Sequence, residues 1–230
     1  MRPAPAPIKA ILYDLDGTLV DHFGAIHRAI AYAQQQLGLP ISSYEKVRAT
    51  VGGSIELTMA RLTSPELAPK AIPYYLEHLQ KIMFEDLHPL PGAAWLMENL
   101  HERGFRQGVL TNKQGTFARA ITHHLGWDQW LDHVFGTFDT PWRKPAREFA
   151  LHAVAQFNVA PGEAVLIGDS PFDIEAAVNA GLHSQVVATG SHTRAQLLAN
   201  QPAPDAVFAN LHELGVATFG IPSPSAQSLS

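Results

Sequence analysis

Ile8-Lys9-Ala10-Ile11-Leu12-Tyr13 is a short apolar run that ends abruptly in Asp14-Leu15-Asp16-Gly17-Thr18. The run has the length and composition of a buried strand. Two carboxylates two residues apart at its carboxyl end can lean into one shared site. Gly17 lets the backbone turn sharply and lie close to a ligand, and Thr18 adds a hydroxyl. Burying an unpaired charge costs several kcal/mol. Two aspartates at the edge of a core therefore call for a partner, and a metal ion is the usual one. The competing reading is an Asx turn with a helix cap.

The same kind of run recurs at 105–110, 134–138, 164–167, 184–188 and 206–208. Helical patterns separate these runs, at 91–103, 116–125, 145–158, 173–179 and 193–200. Strand and helix in alternation argue an α/β fold: a Rossmann-like, doubly wound parallel sheet with helices on both faces. Between the first strand and position 86 the pattern is helical only. Residues 22–37 carry apolar side chains at a period near 3.6. Ser43 and Ser54 are placed to cap helices running through 49 and 62. A helical region spans 64–85, and Pro73 is expected to kink or interrupt it. The expected organisation is an α/β core at 1–20 and 87–220 with an inserted all-α lobe at 21–86. A disordered Ser/Pro-rich tail is expected at 221–230, and 1–7 reads as a loose lead-in.

With 230 residues, 46% of them hydrophobic, the chain can bury one large core, or one core and a smaller lobe. The net charge of -5 is spread without any Lys/Arg run, which argues against a nucleic-acid partner. The absence of cysteine excludes disulfides and thiolate chemistry. No apolar run has the length of a signal peptide or a membrane span, so the expectation is a cytoplasmic protein without a membrane partner.

Asp14, Thr111 and Asp169 all fall at expected strand ends, where sheets of this type bind ligands. Asp169 can join Asp14 and Asp16 around a hard cation. Magnesium takes oxygen ligands, whereas zinc would want His or Cys, and no histidine pair has ligand spacing beside these aspartates. Thr111-Asn112 offers a hydroxyl and backbone amides for phosphate oxygens, or else a strand-to-helix cap. Lys144 is a solvated lysine unless it folds back to the carboxylates, where its charge would balance them and bind phosphate. Asp173, four residues past Asp169, either supports a metal site or caps a helix.

Taken together, these motifs resemble those of the haloacid dehalogenase superfamily of phosphatases. Asp14-Leu15-Asp16-Gly17-Thr18 is similar to its first motif, Leu110-Thr111-Asn112 to its second and Lys144-Pro145 to its third. Gly168-Asp169-Ser170-Pro171-Phe172-Asp173 is similar to its fourth, and the order is the family's. The helical lobe stands where the family carries a helical cap. Thr111-Asn112-Lys113 and residues 75–92 resemble the phosphoglycolate phosphatases. The resemblance implies that Asp14 is a nucleophile forming an aspartyl phosphate, and that Asp16 is the general acid and then the base. It implies Mg2+ held by the Asp14 and Asp169 carboxylates and the Asp16 backbone carbonyl, with Asp173 in support. Thr111, Asn112 and Lys144 would hold the phosphoryl oxygens. Cap contacts to substrate would come from His22, Phe23, Gly52, Gly53 and Ser54. The expected activity is magnesium-dependent hydrolysis of a small phosphorylated metabolite by a monomer or homodimer. A sugar-phosphate mutase on the same core is the first rival, and a non-catalytic binding module the second. Ile55 stands near the position where the family's phosphonate hydrolases carry a Schiff-base lysine, which argues against that branch. The family usually has a serine at the position of His22.

Overall fold

The computed structural model describes residues 7–223. Strand β1 (Ala10–Tyr13) is buried along its whole length. Its side chains divide by parity between two cores. Ile11 and Tyr13 join Val109, Val165 and Ile167 on one face, and Ala10 and Leu12 join Leu110, Ala164 and Leu166 on the other. Burial on both faces is what an inner strand of a parallel sheet requires, and it explains the unbroken apolar run.

The chain then makes a two-residue strand, β2 (Val20–Asp21), and four helices. These are α1 (Phe23–Gln36), α2 (Tyr44–Arg48), α3 (Ile55–Leu62) and α4 (Ala68–Ile82), and β3 (His88–Pro89) follows. β2 and β3 pair antiparallel, so a short ribbon forms the neck of the helical insertion. No strand was expected between 21 and 86, and Asp21 and the β3 residues His88 and Pro89 form this ribbon at its edges. Ser43 and Ser54 cap α2 and α3 by accepting from the amides of Lys46 and Leu57. The insertion has its own apolar cluster, with Ile26 and Ile30 of α1 packed on Met59 of α3 and Leu79 of α4. Pro73 neither breaks nor interrupts α4. Pro69 and Pro73 both lie on the exposed side, where water can serve the carbonyl left without an amide. On the opposite side Ala71, Tyr75, Leu79 and Ile82 are buried.

Alternation resumes with α5 (Ala93–Glu102), β4 (Arg106–Gln114), α6 (Gly115–His124), β5 (His133–Thr137), α7 (Arg147–Gln156) and β6 (Ala164–Gly168). It closes with α8 (Pro171–Ala180), β7 (His183–Val187), α9 (Arg194–Leu198), β8 (Ala206–Phe208) and α10 (Leu211–Phe219). The six-stranded sheet has the order β5-β4-β1-β6-β7-β8 and is parallel throughout. The order reverses at β1, so the crevice beside its carboxyl end is the natural ligand site. β4 runs past the expected end at 110 to Gln114, with an irregularity in register between Leu110 and Gln114.

Helix α10 was not expected from the sequence. Asn210 caps it by accepting from Glu213, and Leu211 and Leu214 enter the core. Ile221, assigned on sequence to the tail, is buried in the same core and its amide donates to the Gly215 carbonyl. The rest of the expected tail, 224–230, and nearly all of the lead-in lie outside the described residues. Among the described residues, no helix is long and apolar enough to cross a membrane.

Candidate active site

The site lies at the carboxyl ends of β1, β4 and β6. Asp14 follows β1, Thr111 and Asn112 lie within the irregular end of β4, and Asp169 follows β6. Gly17 holds φ +90, and a Cβ on it would come 2.9 Å from an Asp169 carboxylate oxygen. Glycine is therefore what lets the two loops close on each other.

Asp14, Asp169 and Asp173 are buried, and each offers a carboxylate oxygen within 4.8 Å of the others. Lys144 is buried among them. Its Nζ stands 2.8 Å from Asp14 Oδ1 and 2.6 Å from Asp173 Oδ1. The solvated reading of this lysine is thus excluded. Asp173 lies in the acidic trio, and it also accepts from the Ser170 amide and hydroxyl at the start of α8. Asp169 takes the Ser191 amide at 2.6 Å and hydroxyl at 2.8 Å on Oδ2. Its buried Oδ1 has no partner among the described residues.

The side chain of Asp16 is not part of the trio. Lys113 Nζ binds both its oxygens, at 3.0 and 2.9 Å, and also lies 3.1 Å from His22 Nδ1. His22 Nε2 is 2.8 Å from the Met83 carbonyl just past α4. A carbonyl only accepts, so Nε2 carries the proton and Nδ1 turns its lone pair to Lys113.

These contacts set the electrostatics. Burial raises the Asp14 carboxyl to about 6, with Lys144 pulling against it and Asp173 adding to it. Burial, then the charges of Asp173 and Asp14, push Asp169 up to about 8. Burial would also raise Asp16, but the Lys113 charge outweighs it and holds that carboxyl well below the usual range. Burial alone would lower Lys144, yet Asp14 and Asp173 keep it above an ordinary lysine. Burial and the Lys113 charge lower His22, which keeps it neutral. With all four carboxyls ionised, the centre sets two ammoniums against four carboxylates and is two positive charges short. One divalent cation makes up that difference, and the unpartnered Asp169 Oδ1 is an oxygen ligand of the kind such an ion takes.

The other expected site residues are placed as follows. Thr111 is buried at the floor of the cavity beneath the helical insertion. The Asn112 side chain is fully engaged elsewhere. Its Nδ2 donates to the Gly52 and Lys144 carbonyls and its Oδ1 accepts from the Lys144 amide. Asn112 therefore splints the Lys144 loop and leaves only its backbone for a phosphate. Gly52 and Gly53 line the cavity. His22, Phe23 and Ser54 do not. His22 serves Lys113, Phe23 is buried beneath the Arg48 guanidinium, and Ser54 is occupied as a helix cap.

Sequence reasoning missed Lys113, Ser191 and Arg48. Ser191 follows β7, so the strand-end rule that found Asp169 applies to it as well. Arg48 donates to the Thr189 and Gly190 carbonyls, tying α2 to the loop that holds Asp169. The sequence carried no signal for that reach.

The family model described as haloacid dehalogenase-like hydrolase matches residues 11–187. A phosphoglycolate phosphatase of Nitrosospira multiformis is 31% identical over 187 residues, covering 78% of this chain and 82% of its own length. One from Nitrosococcus oceani is 31% identical over 214 residues, covering 90% and 94%. Among solved structures, a haloacid dehalogenase-like family hydrolase from Streptococcus pneumoniae superposes with a TM-score of 0.82 at 26% identity, over 90% of this chain and 96% of that one. A haloacid dehalogenase-like hydrolase from Bacteroides fragilis reaches a TM-score of 0.84 at 23% identity over 90% and 99%, a likeness that speaks to the fold. With the four motifs gathered at one crevice and a family match across most of its length, the chain belongs to the haloacid dehalogenase-like hydrolases.

Proposed function

We propose that this phosphoric monoester hydrolase cleaves a small phosphomonoester with magnesium bound, through an aspartyl-phosphate on Asp14, and that its four-helix insertion acts as a cap over the reaction. The observation that carries the reading is the close set of four carboxylates and two lysines, with Asp14, Asp169, Asp173 and Lys144 buried, two charges short when all four carboxylates are ionised, and with Asp169 Oδ1 unpartnered among the described residues. Asp14, Asp169 and the Asp16 backbone carbonyl would hold the ion, and Asp173 supports them through Lys144. When bound, magnesium supplies charge neutralisation for the phosphoryl oxygens.

Lys144, fixed between Asp14 and Asp173, supplies a positive charge beside the nucleophile and reduces its repulsion with a phosphate dianion. Thr111 holds a phosphoryl oxygen through its hydroxyl. An Asp14 oxygen forms a bond to phosphorus while the bond from phosphorus to the ester oxygen breaks. The leaving alkoxide takes a proton from Asp16. In the second half, Asp16 accepts a proton from water as that water displaces Asp14 from phosphorus. Lys113 holds Asp16 ionised in the absence of substrate, and an arriving phosphate dianion raises its proton affinity again.

A sugar-phosphate mutase would have to hold a bisphosphate in two orientations, and the largely apolar walls of this cavity weigh against it. The test is phosphate release from a phosphomonoester panel with and without magnesium. Release should require the ion and fall by at least about a thousandfold in Asp14→Asn. Unchanged release by that variant would remove Asp14 from its role.

A further inference from the structure

We infer that the cavity over Asp14 is built for a phosphomonoester whose alcohol is uncharged and largely apolar, a class chemically distinct from phosphoglycolate. This rests on the phosphatase reading above and names the substrate class of the same site. The floor of the cavity is the polar group described, with Asp14, Asp16, Thr111 and Lys113. Everything the leaving alcohol would meet above that floor is mostly hydrocarbon. Ile26 and Ile30 come from α1, Ile55 from α3, Tyr75 and Leu79 from α4, and Phe117 from α6. Ile30 and Leu79 are at most 1% exposed, so this wall is set in the packed interior of the insertion.

The charge inventory points the same way. Among the described residues, the charged side chains that line the cavity are Asp14, Asp16 and Lys113. An ammonium has three donors. Those of Lys113 face three acceptors already, two on Asp16 and one on His22. Lys144 is shared between Asp14 and Asp173. A second anion on the substrate, such as the carboxylate of phosphoglycolate, would therefore stand against isoleucine and leucine without a cation of its own. Burying a charge in that way is strongly unfavourable, whereas each methylene buried there is favourable.

The test compares kcat/KM with magnesium for ethyl, propyl, butyl and benzyl phosphate against 2-phosphoglycolate, which is larger than propyl phosphate by a single non-hydrogen atom. The rate should rise about fourfold per added methylene, and 2-phosphoglycolate should fall at least about tenfold below propyl phosphate. A 2-phosphoglycolate rate above that of propyl phosphate overturns the inference. The same compounds are titrated calorimetrically into Asp14→Asn, which reads the cavity without turnover. If the wild type hydrolyses none of them but the variant binds in the order stated, the phosphatase reading fails and the cavity assignment stands. If the wild type turns them over and the variant's affinities are flat along the series, the cavity assignment fails and the phosphatase reading stands.

Discussion

Lys113 illustrates how the chemistry is set at single side chains. Its ammonium joins Asp16, from the loop after β1, to His22 at the neck of the insertion. The carboxyl of Asp16 is held low, so the pair's stabilisation is present above the unfolded value of about 4. It is lost as pH falls through the lower folded value. Lys113→Met should therefore cost roughly 3–5 kcal/mol at pH 7, the cost of leaving one partner of a buried pair alone. Its deficit against wild type should shrink below about pH 4, measured by urea unfolding across pH. The sign is opposite for Asp169. With its carboxyl raised to about 8, the folded metal-free protein keeps a proton that the unfolded chain has shed. Stability without metal should then fall as pH climbs from about 4 to 8. Magnesium held by Asp169, as proposed, would have to displace that proton, so the rise in Tm on adding it should be larger at pH 8 than at pH 6, measured by differential scanning calorimetry. Asp14, Asp16 and Asp169 were legible in the sequence because carboxylates at strand ends violate the apolar pattern around them. Lys113 and Ser191 do not violate it. An ordinary lysine and serine become site residues only when distant strands are brought side by side.

At the level of elements, the sheet was legible because both of its faces are covered. Its inner strands β1 and β6 therefore read as unbroken apolar runs, and helices must separate them. The departures have local causes. Pro73 is a strong breaker taken alone, yet α4 continues through it because one side of the helix is fixed against α1 and the other meets water. Pro73→Ala restores an amide to that exposed position. It should raise stability by about 1–3 kcal/mol, seen as a higher Tm with unchanged turnover. α10 was missed because Gly215 and the glycine that ends it, Gly220, weaken the pattern. Gly215 is where Trp95 of α5 packs, since a Cβ there would come 2.6 Å from the indole. The β2–β3 ribbon was missed because strands of two residues carry no periodicity at all.

On the scale of the whole molecule, the insertion and the sheet meet at few polar points, and Arg48 provides two of them. Its hydrogen bonds to Thr189 and Gly190 should contribute about 1 kcal/mol each. If the insertion opens and closes as the proposed cap, Arg48→Ala should shift it toward an open position by roughly tenfold or more. The expected result is a higher KM with kcat unchanged or raised, measured by steady-state kinetics with magnesium saturating. That the insertion is helical, and where it interrupts the sheet, could be read from sequence. How it is fastened down could not, because the fastening joins residues 141 and 142 positions apart.

The loop after β7 has a double attachment. Its Thr189 and Gly190 carbonyls receive the arginine, the Thr189 hydroxyl donates to the Gly17 carbonyl, and Ser191 grips Asp169. A Cβ on Gly190 would come 2.0 Å from the Asp169 carboxylate. Three consecutive residues thus act as a knot, with the roof tied to one side of it and the ion's seat to the other. A movement of the insertion would therefore pull on the same three residues that hold Asp169, so under the proposed reading product exit and the grip on the ion would be mechanically joined.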